Sequence, residues 1–143
     1  MRSPIGILIF EDNSNLRESL TNLLSLNEDY TILGSFADCT EAAAQVKQLA
    51  PAVILMDIDM PGMSGIEALR SIRTFNTSVQ IIMLTVFDDD THVFEAMHAG
   101  ANGYLLKKYI SEKLAAFSSD YEVRGLGLMI GIELKFPVKE LRH

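Results

Sequence analysis

Five short apolar runs, each stopped by a polar residue and parted from the next by a stretch of helical spacing, constrain this chain most. The runs are IGILIF (5–10), YTILGSF (30–36), AVILM (52–56), VQIIML (79–84) and GYLL (103–106). Their length and branched-residue content favour strands, and near-continuous apolarity predicts strands covered on both faces. Between them, helical spacing runs over 14–26, 39–49, 64–74 and 88–99. In the first of these, Leu16, Leu20, Leu23 and Leu24 share a stripe that excludes Arg17, Glu18 and Asn22. Ser64, with Glu67 three residues on, reads as a capping box opening the third helix. Strand and helix alternating in this way predict a parallel sheet with right-handed crossovers and helices on both faces.

Composition narrows the class. At 143 residues the chain fits one domain with room for an appendage, and 48% hydrophobic with 22% charged residues suits a globular fold. No apolar run reaches the length that crosses a bilayer. The start, MRSPIGILIFEDN, meets acidic residues too early for a secretory leader, so a cytoplasmic protein without membrane attachment is expected. Cys39 is the single cysteine and is read as a small buried hydrophobe, which leaves no disulfide framework. A net charge of −7 argues against direct binding of nucleic acid, which depends on basic surface.

In parallel sheets of this kind, sites form where the loops gather at the carboxyl ends of the strands. Those ends carry Glu11 and Asp12 after the first run, Asp57 and Asp59 after the third, Thr85 after the fourth and Lys107 after the fifth. Singly, each has a plain reading as a turn former, a helix cap or a solvated charge. Together they describe one site. Three carboxylates meeting in a cleft repel one another unless a cation intervenes, and Mg2+ suits a site of few carboxylates and retained waters. Such an ion can clamp the oxygens of a phosphoryl group passing to one carboxylate, with the Lys107 ammonium and the Thr85 hydroxyl as further donors.

ILIFEDN, VILMDIDMPGMSGIEAL, IIMLTVFDDD and AGANGYLLKK, in this order and spacing, resemble a bacterial response-regulator receiver domain over about residues 4–108. The resemblance implies a flavodoxin-like three-layer α/β/α fold with a five-stranded parallel sheet. It implies Asp57 as phosphoacceptor and Glu11 and Asp12 as the acidic pair that organises Mg2+. Asp57 also ligates the metal, and the backbone carbonyl of Asp59 completes the protein's share. Lys107 bridges to the phosphoryl group, Thr85 moves to hydrogen-bond it, and Tyr104 is the aromatic that swings inward as Thr85 moves. The implied donor is a partner histidine kinase, and the implied role is phosphoryl acceptance rather than enzymatic turnover. The family often has proline after the conserved lysine, in a cis peptide. Lys108 stands there instead, and a trans bond is expected because a non-proline cis bond costs about 3 kcal/mol.

Two other α/β chemistries share parts of this pattern. Asp57-Ile58-Asp59 resembles the Asp-x-Asp of haloacid-dehalogenase-type phosphatases, but that motif normally ends the first strand, and no further acidic motif follows Lys107. A dinucleotide site needs a glycine-rich turn after the first strand, where this chain has Glu11 and Asp12. His92 and His98 are six apart on one helix and read as surface residues.

The end of the chain departs from the pattern. YISEKLAAFSS continues with helical spacing, then YEVRGLGLMIGIELKF alternates and carries glycines suited to a turn, which predicts a hairpin or bulged strand. Residues 109–143 are therefore expected to add one or two strands, either beside the fifth strand or as an edge pairing with another copy, giving a monomer or an edge-strand homodimer. From about Ile110 to the end the chain also resembles the small domain of class III pyridoxal-phosphate aminotransferases, whose cofactor lysine lies in a domain absent here, so no aminotransferase activity is implied. A chimera, engineered or natural, is the expectation this raises, with a two-fragment scaffold that keeps the site but signals nothing as the alternative function.

Overall fold

The computed structural model describes residues 3–108, so the expectations for 109–143 lie outside the described residues. Five strands and four helices alternate: β1 (Ile5–Phe10), α1 (Ser14–Ser25), β2 (Tyr30–Phe36), α2 (Ala42–Leu49), β3 (Val53–Asp57), α3 (Gly65–Arg73), β4 (Gln80–Thr85), α4 (Asp90–Ala99) and β5 (Gly103–Leu106). All pairings are parallel, in the order β2-β1-β3-β4-β5. This is the expected flavodoxin-like fold. It sets β3 at the centre, buried along its whole length. Among the described residues no helix is long and apolar enough to cross a membrane.

Two cores flank the sheet. On one face Leu20, Leu23 and Leu24 of α1 pack with Ile7, Ile9, Val53, Leu55, Ile82 and Leu84, and Leu16 closes the stripe at its half-buried end. The other face is larger, joining Leu8, Phe10, Ile54, Met56, Ile81 and Met83 to α2, α3 and α4 through Val46, Leu69, Ile72 and Ala96. Strand residues alternate between the two cores, as the pleat requires. Cys39 is fully buried in the second core and its thiol donates to the Met63 carbonyl at 3.1 Å. Burial pushes that thiol up to about 11, so it stays protonated and behaves as the expected hydrophobe.

Several sequence expectations shift. The run 30–36 is not covered on both faces: β2 is an edge strand in which, after buried Tyr30, exposed and half-buried residues alternate, and its register with β1 slips between Ile7 and Leu8. The slip leaves Leu33 as the extra residue, partly in solvent, and brings Phe36 opposite Phe10 with ring centroids 5.3 Å apart. Helix α2 begins at Ala42 rather than 39, because Asp38 accepts from both the amide and the hydroxyl of Thr40 and turns the chain first. Helix α4 begins at Asp90 rather than 88, with Asp89 as its N-cap. Ser64 caps α3 as expected, accepting from the Glu67 amide at 3.2 Å. The Lys107–Lys108 peptide is trans.

A clamp ties the amino-terminal ends of β4 and β5 to the helices. Arg73, the last residue of α3, donates to the carbonyls of Gly100, Asn76 and Val79 and to the Asn102 side chain, at 2.7–3.1 Å. Asn102 Oδ1 also accepts from the Ile81 amide at 2.9 Å. Gly100 ends α4 in the left-handed region at φ 111°, against the Arg73 stem, where a side chain would be both strained and crowded.

Candidate functional site

Glu11 and Asp12 follow directly on β1. The Glu11 amide donates to the Phe36 carbonyl at 2.9 Å, so the register slip of β2 delivers an anchor for this acid. Arg17 of α1 holds the Glu11 carbonyl at 2.7 Å, and the Asn13 amide donates to Glu11 Oε2 at 3.0 Å. Asn13 then caps α1 through its own side chain, which fixes the short turn carrying both acids. Glu11 is fully buried and Asp12 is exposed.

Asp57 is the last residue of β3 and is 2% exposed. The chain after it turns back, with the Ile58 amide on Leu84 O at 3.3 Å and the Gly65 amide on Ile58 O at 2.8 Å. A Cβ on Gly65 would overlap the Asp57 carbonyl oxygen, so only glycine lets the start of α3 lie against the acid's main chain. Lys107, just after β5, reaches back with Nζ 2.8 Å from Asp57 Oδ2 and 2.9 Å from Glu11 Oε1. Glu11 Oε1, buried and close to the ammonium, still receives no hydrogen bond of acceptable geometry.

The electrostatics follow from this crowding. Burial, reinforced by the Glu11 charge and by hydrogen bonding to Asp12, pushes Asp57 up to about 7 although Lys107 works against the rise. For Asp12, burial is outweighed by hydrogen bonds to Asp57 and Glu11 and by the Lys107 charge, which hold it below the ordinary carboxylate value. Burial likewise fails to lower Lys107, whose bonds to Asp57 and Glu11 hold it above the ordinary lysine value. Without a cation, then, the crowding favours the protonated form of Asp57, and a divalent ion would compete with that proton.

The side chains of Glu11, Asp12 and Asp57 each place an oxygen within 4.8 Å of the others. That spacing, the hard oxygen donors and the orphaned Glu11 oxygen fit a magnesium ion. The Asp59 carboxylate is not in this group; it is exposed, and its amide donates to Asp57 Oδ1 at 3.3 Å. Thr85, the last residue of β4, is fully buried, and its hydroxyl accepts from the Phe87 amide at 3.0 Å. Tyr104, half-buried on β5, donates from its hydroxyl to the Phe87 carbonyl at 2.8 Å. Sequence reading missed Gly65 and Phe87 as site residues. Gly65 had a signal, a glycine directly after a helix-capping serine; Phe87 serves through its main chain, which leaves none.

A buried aspartate at the head of the central strand, paired with a lysine from the last strand and faced by two more acids, defines a class of single-sheet α/β domains organised around one carboxylate. The family follows from comparison. The profile of the response regulator receiver domain matches residues 7–117, and the chain belongs to that family. It is 38% identical over 113 residues to the uncharacterized transcriptional regulatory protein YxjL of Bacillus subtilis, covering 79% of this chain and 52% of that one. It is 34% identical over 113 residues to the nitrate/nitrite response regulator protein NarL of Escherichia coli K12, with the same coverage. Among solved structures, the signal receiver domain of the NarL-type regulator of Mycobacterium tuberculosis superposes with a TM-score of 0.73 at 25% identity, covering 90% of this chain and 97% of that one. The chain spans about half the length of the curated relatives it matches.

This chain is thus a receiver domain of the two-component type. Receiver domains are phosphoacceptors that bind magnesium at an acidic site, and Glu11, Asp12 and Asp57 form an acidic group at the strand ends of this chain. The phosphatase alternative is set aside by the family match.

Proposed function

We propose that Asp57 accepts a phosphoryl group from a histidine kinase partner, with Glu11, Asp12, Asp57 and the Asp59 carbonyl as the magnesium-binding set. The observation that carries this reading is the Lys107 ammonium 2.8 Å from a buried Asp57 oxygen, beside two further carboxylates. When bound, the ion neutralises charge on the transferring group and on the acids around it. The Asp57 carboxylate attacks phosphorus through one oxygen, and the leaving group departs from the opposite side. Lys107, already at the acceptor oxygen, stays to pair with the added phosphoryl charge. Thr85 supplies a hydroxyl donor to the same group, and Tyr104 follows the movement of Thr85.

Intact-mass spectrometry after incubation with acetyl phosphate tests this directly. The expected result is one phosphoryl adduct that needs magnesium and is absent in Asp57→Asn. An adduct that persists in the variant, or none in the folded wild type, would overturn the assignment. The regulator-type names of the curated relatives favour a role in controlling transcription through a partner or further domain, with the acidic receiver itself touching no nucleic acid and working in the cytoplasm. For residues 109–143 the reading remains that of an appended segment. The family match takes in its first nine residues, 109–117, and so overlaps the start of the aminotransferase-like stretch, which runs from about Ile110 and rests on sequence resemblance alone. A phosphorylation-dependent change in oligomeric state, measured by light scattering, tests whether the domain signals or merely carries the site.

A further inference from the structure

The loop between β4 and α4 holds a set of contacts the phosphoryl chemistry has not used. Asp89 caps α4, accepting from the His92 amide at 3.0 Å, and its two oxygens also lie 2.7 and 2.8 Å from His92 Nδ1. Gripped in this way, the imidazole stacks on the Phe87 ring, with centroids 4.0 Å apart and planes 3° from parallel. Phe87 is the residue whose amide donates to Thr85 Oγ1 and whose carbonyl accepts from Tyr104. One carboxylate therefore fixes one imidazole, the imidazole fixes one ring, and the main chain of that ring's residue holds both Thr85 and Tyr104.

We propose that His92 is a positioning residue for phosphoryl acceptance, acting through Phe87 to hold the Thr85 hydroxyl ready to donate. The inference rests on the phosphoacceptor reading of Asp57. Its physical basis is preorganisation. The Phe87 amide occupies a lone pair of Thr85 Oγ1 and the Tyr104 hydroxyl lies beside the same side chain, so two neighbours set the direction of the Thr85 hydroxyl before an anion arrives. A donor whose starting position is set by its neighbours has less reorganisation left as it moves onto the anion. A loose Phe87 would release Thr85 and Tyr104 together, because both bonds end on the same residue. Asp89 orients the imidazole, and the flat stack rather than a charge carries the coupling, so a phenyl ring can replace the imidazole.

The test compares wild type, His92→Ala and His92→Phe. His92 is half-exposed, and its partners, Asp89 and Phe87, lie outside the Glu11–Asp12–Asp57 group, so neither substitution threatens the fold or the metal group. In magnesium and saturating acetyl phosphate, His92→Ala is expected to form the Asp57 adduct roughly tenfold more slowly, below the ~100-fold cost of a 1 Å misplacement. The magnesium concentration giving half-maximal rate stays unchanged, and His92→Phe recovers the rate to within about twofold of wild type, as a ring-for-ring exchange should. In the metal-free, unphosphorylated protein, the NMR signals of the Phe87 amide and the Thr85 methyl group move in His92→Ala and return in His92→Phe. Unchanged signals in His92→Ala, or a His92→Phe that behaves as the alanine variant does, would overturn the proposal. If wild type forms no adduct, the phosphoacceptor reading fails, and the proposal of a role in acceptance falls with it, whatever the NMR signals do.

Discussion

At the scale of single residues, Asp57 is held where an ionised carboxylate is least comfortable, and this has a measurable sign. Its folded-state value of about 7 lies above the ordinary 3.8, so the folded, metal-free domain binds a proton that the unfolded chain releases. Stability from this group is present at acidic pH and is lost as pH rises from about 4 through 7. Asp57→Asn removes the titration. The variant is expected to melt higher than wild type at pH 7.5 in a chelator, by several degrees, and the gap should close toward pH 4 in parallel thermal scans. The acids, the threonine and the lysine were legible in the sequence because each directly follows an apolar run. The orphaned Glu11 oxygen was not, since it depends on the angle at which Lys107 arrives from the far end of the chain.

Elements are where small substitutions tell most about how the site is held. Gly65 opens α3 against the Asp57 main chain, and Gly65→Ala cannot be accommodated without moving one or the other. It is expected to abolish the acetyl phosphate adduct and to lower stability by about 2 kcal/mol or more, as overpacking against backbone does, read by urea titration. The clamp at Arg73 works at the other ends of the strands. Arg73→Ala strands the carbonyls of Val79 and Gly100 and should cost about 3 kcal/mol, while its magnesium-dependent adduct yield stays at the wild-type level once the protein is folded. Helix and strand types were readable from period and length, but several starts were not. Asp38 and Asp89 each spend a side-chain acceptor on nearby amides, and such local bonds delay a helix without altering its apolar spacing. The exposed alternation of β2 was hidden for a similar reason, since an apolar composition does not say which strand becomes an edge.

Across the whole molecule, the carboxylates, the central strand and the metal are one thermodynamic unit. Magnesium binds the folded state, so at a hundredfold excess over its dissociation constant it should add about 2.7 kcal/mol. The proton on Asp57 competes with it, and the resulting rise in Tm is expected to be larger at pH 7.5 than at pH 5.5. Equal shifts at the two values would mean that the ion binds elsewhere. The sheet order could not be read from the apolar pattern, which gives five strands but not their neighbours. The structure supplies it as β2-β1-β3-β4-β5.

That order has a consequence for the chain as it is made. Lys107 meets Glu11 across 96 residues and Asp57 across 50, and the fifth strand, which it directly follows, is the last of the described strands to emerge from the ribosome. A nascent or truncated chain ending before β5 has both acids but no ammonium between them. On the proposed mechanism, competence to take up phosphate is expected only once β5 has joined the sheet, with a shorter copy silent rather than wrongly active.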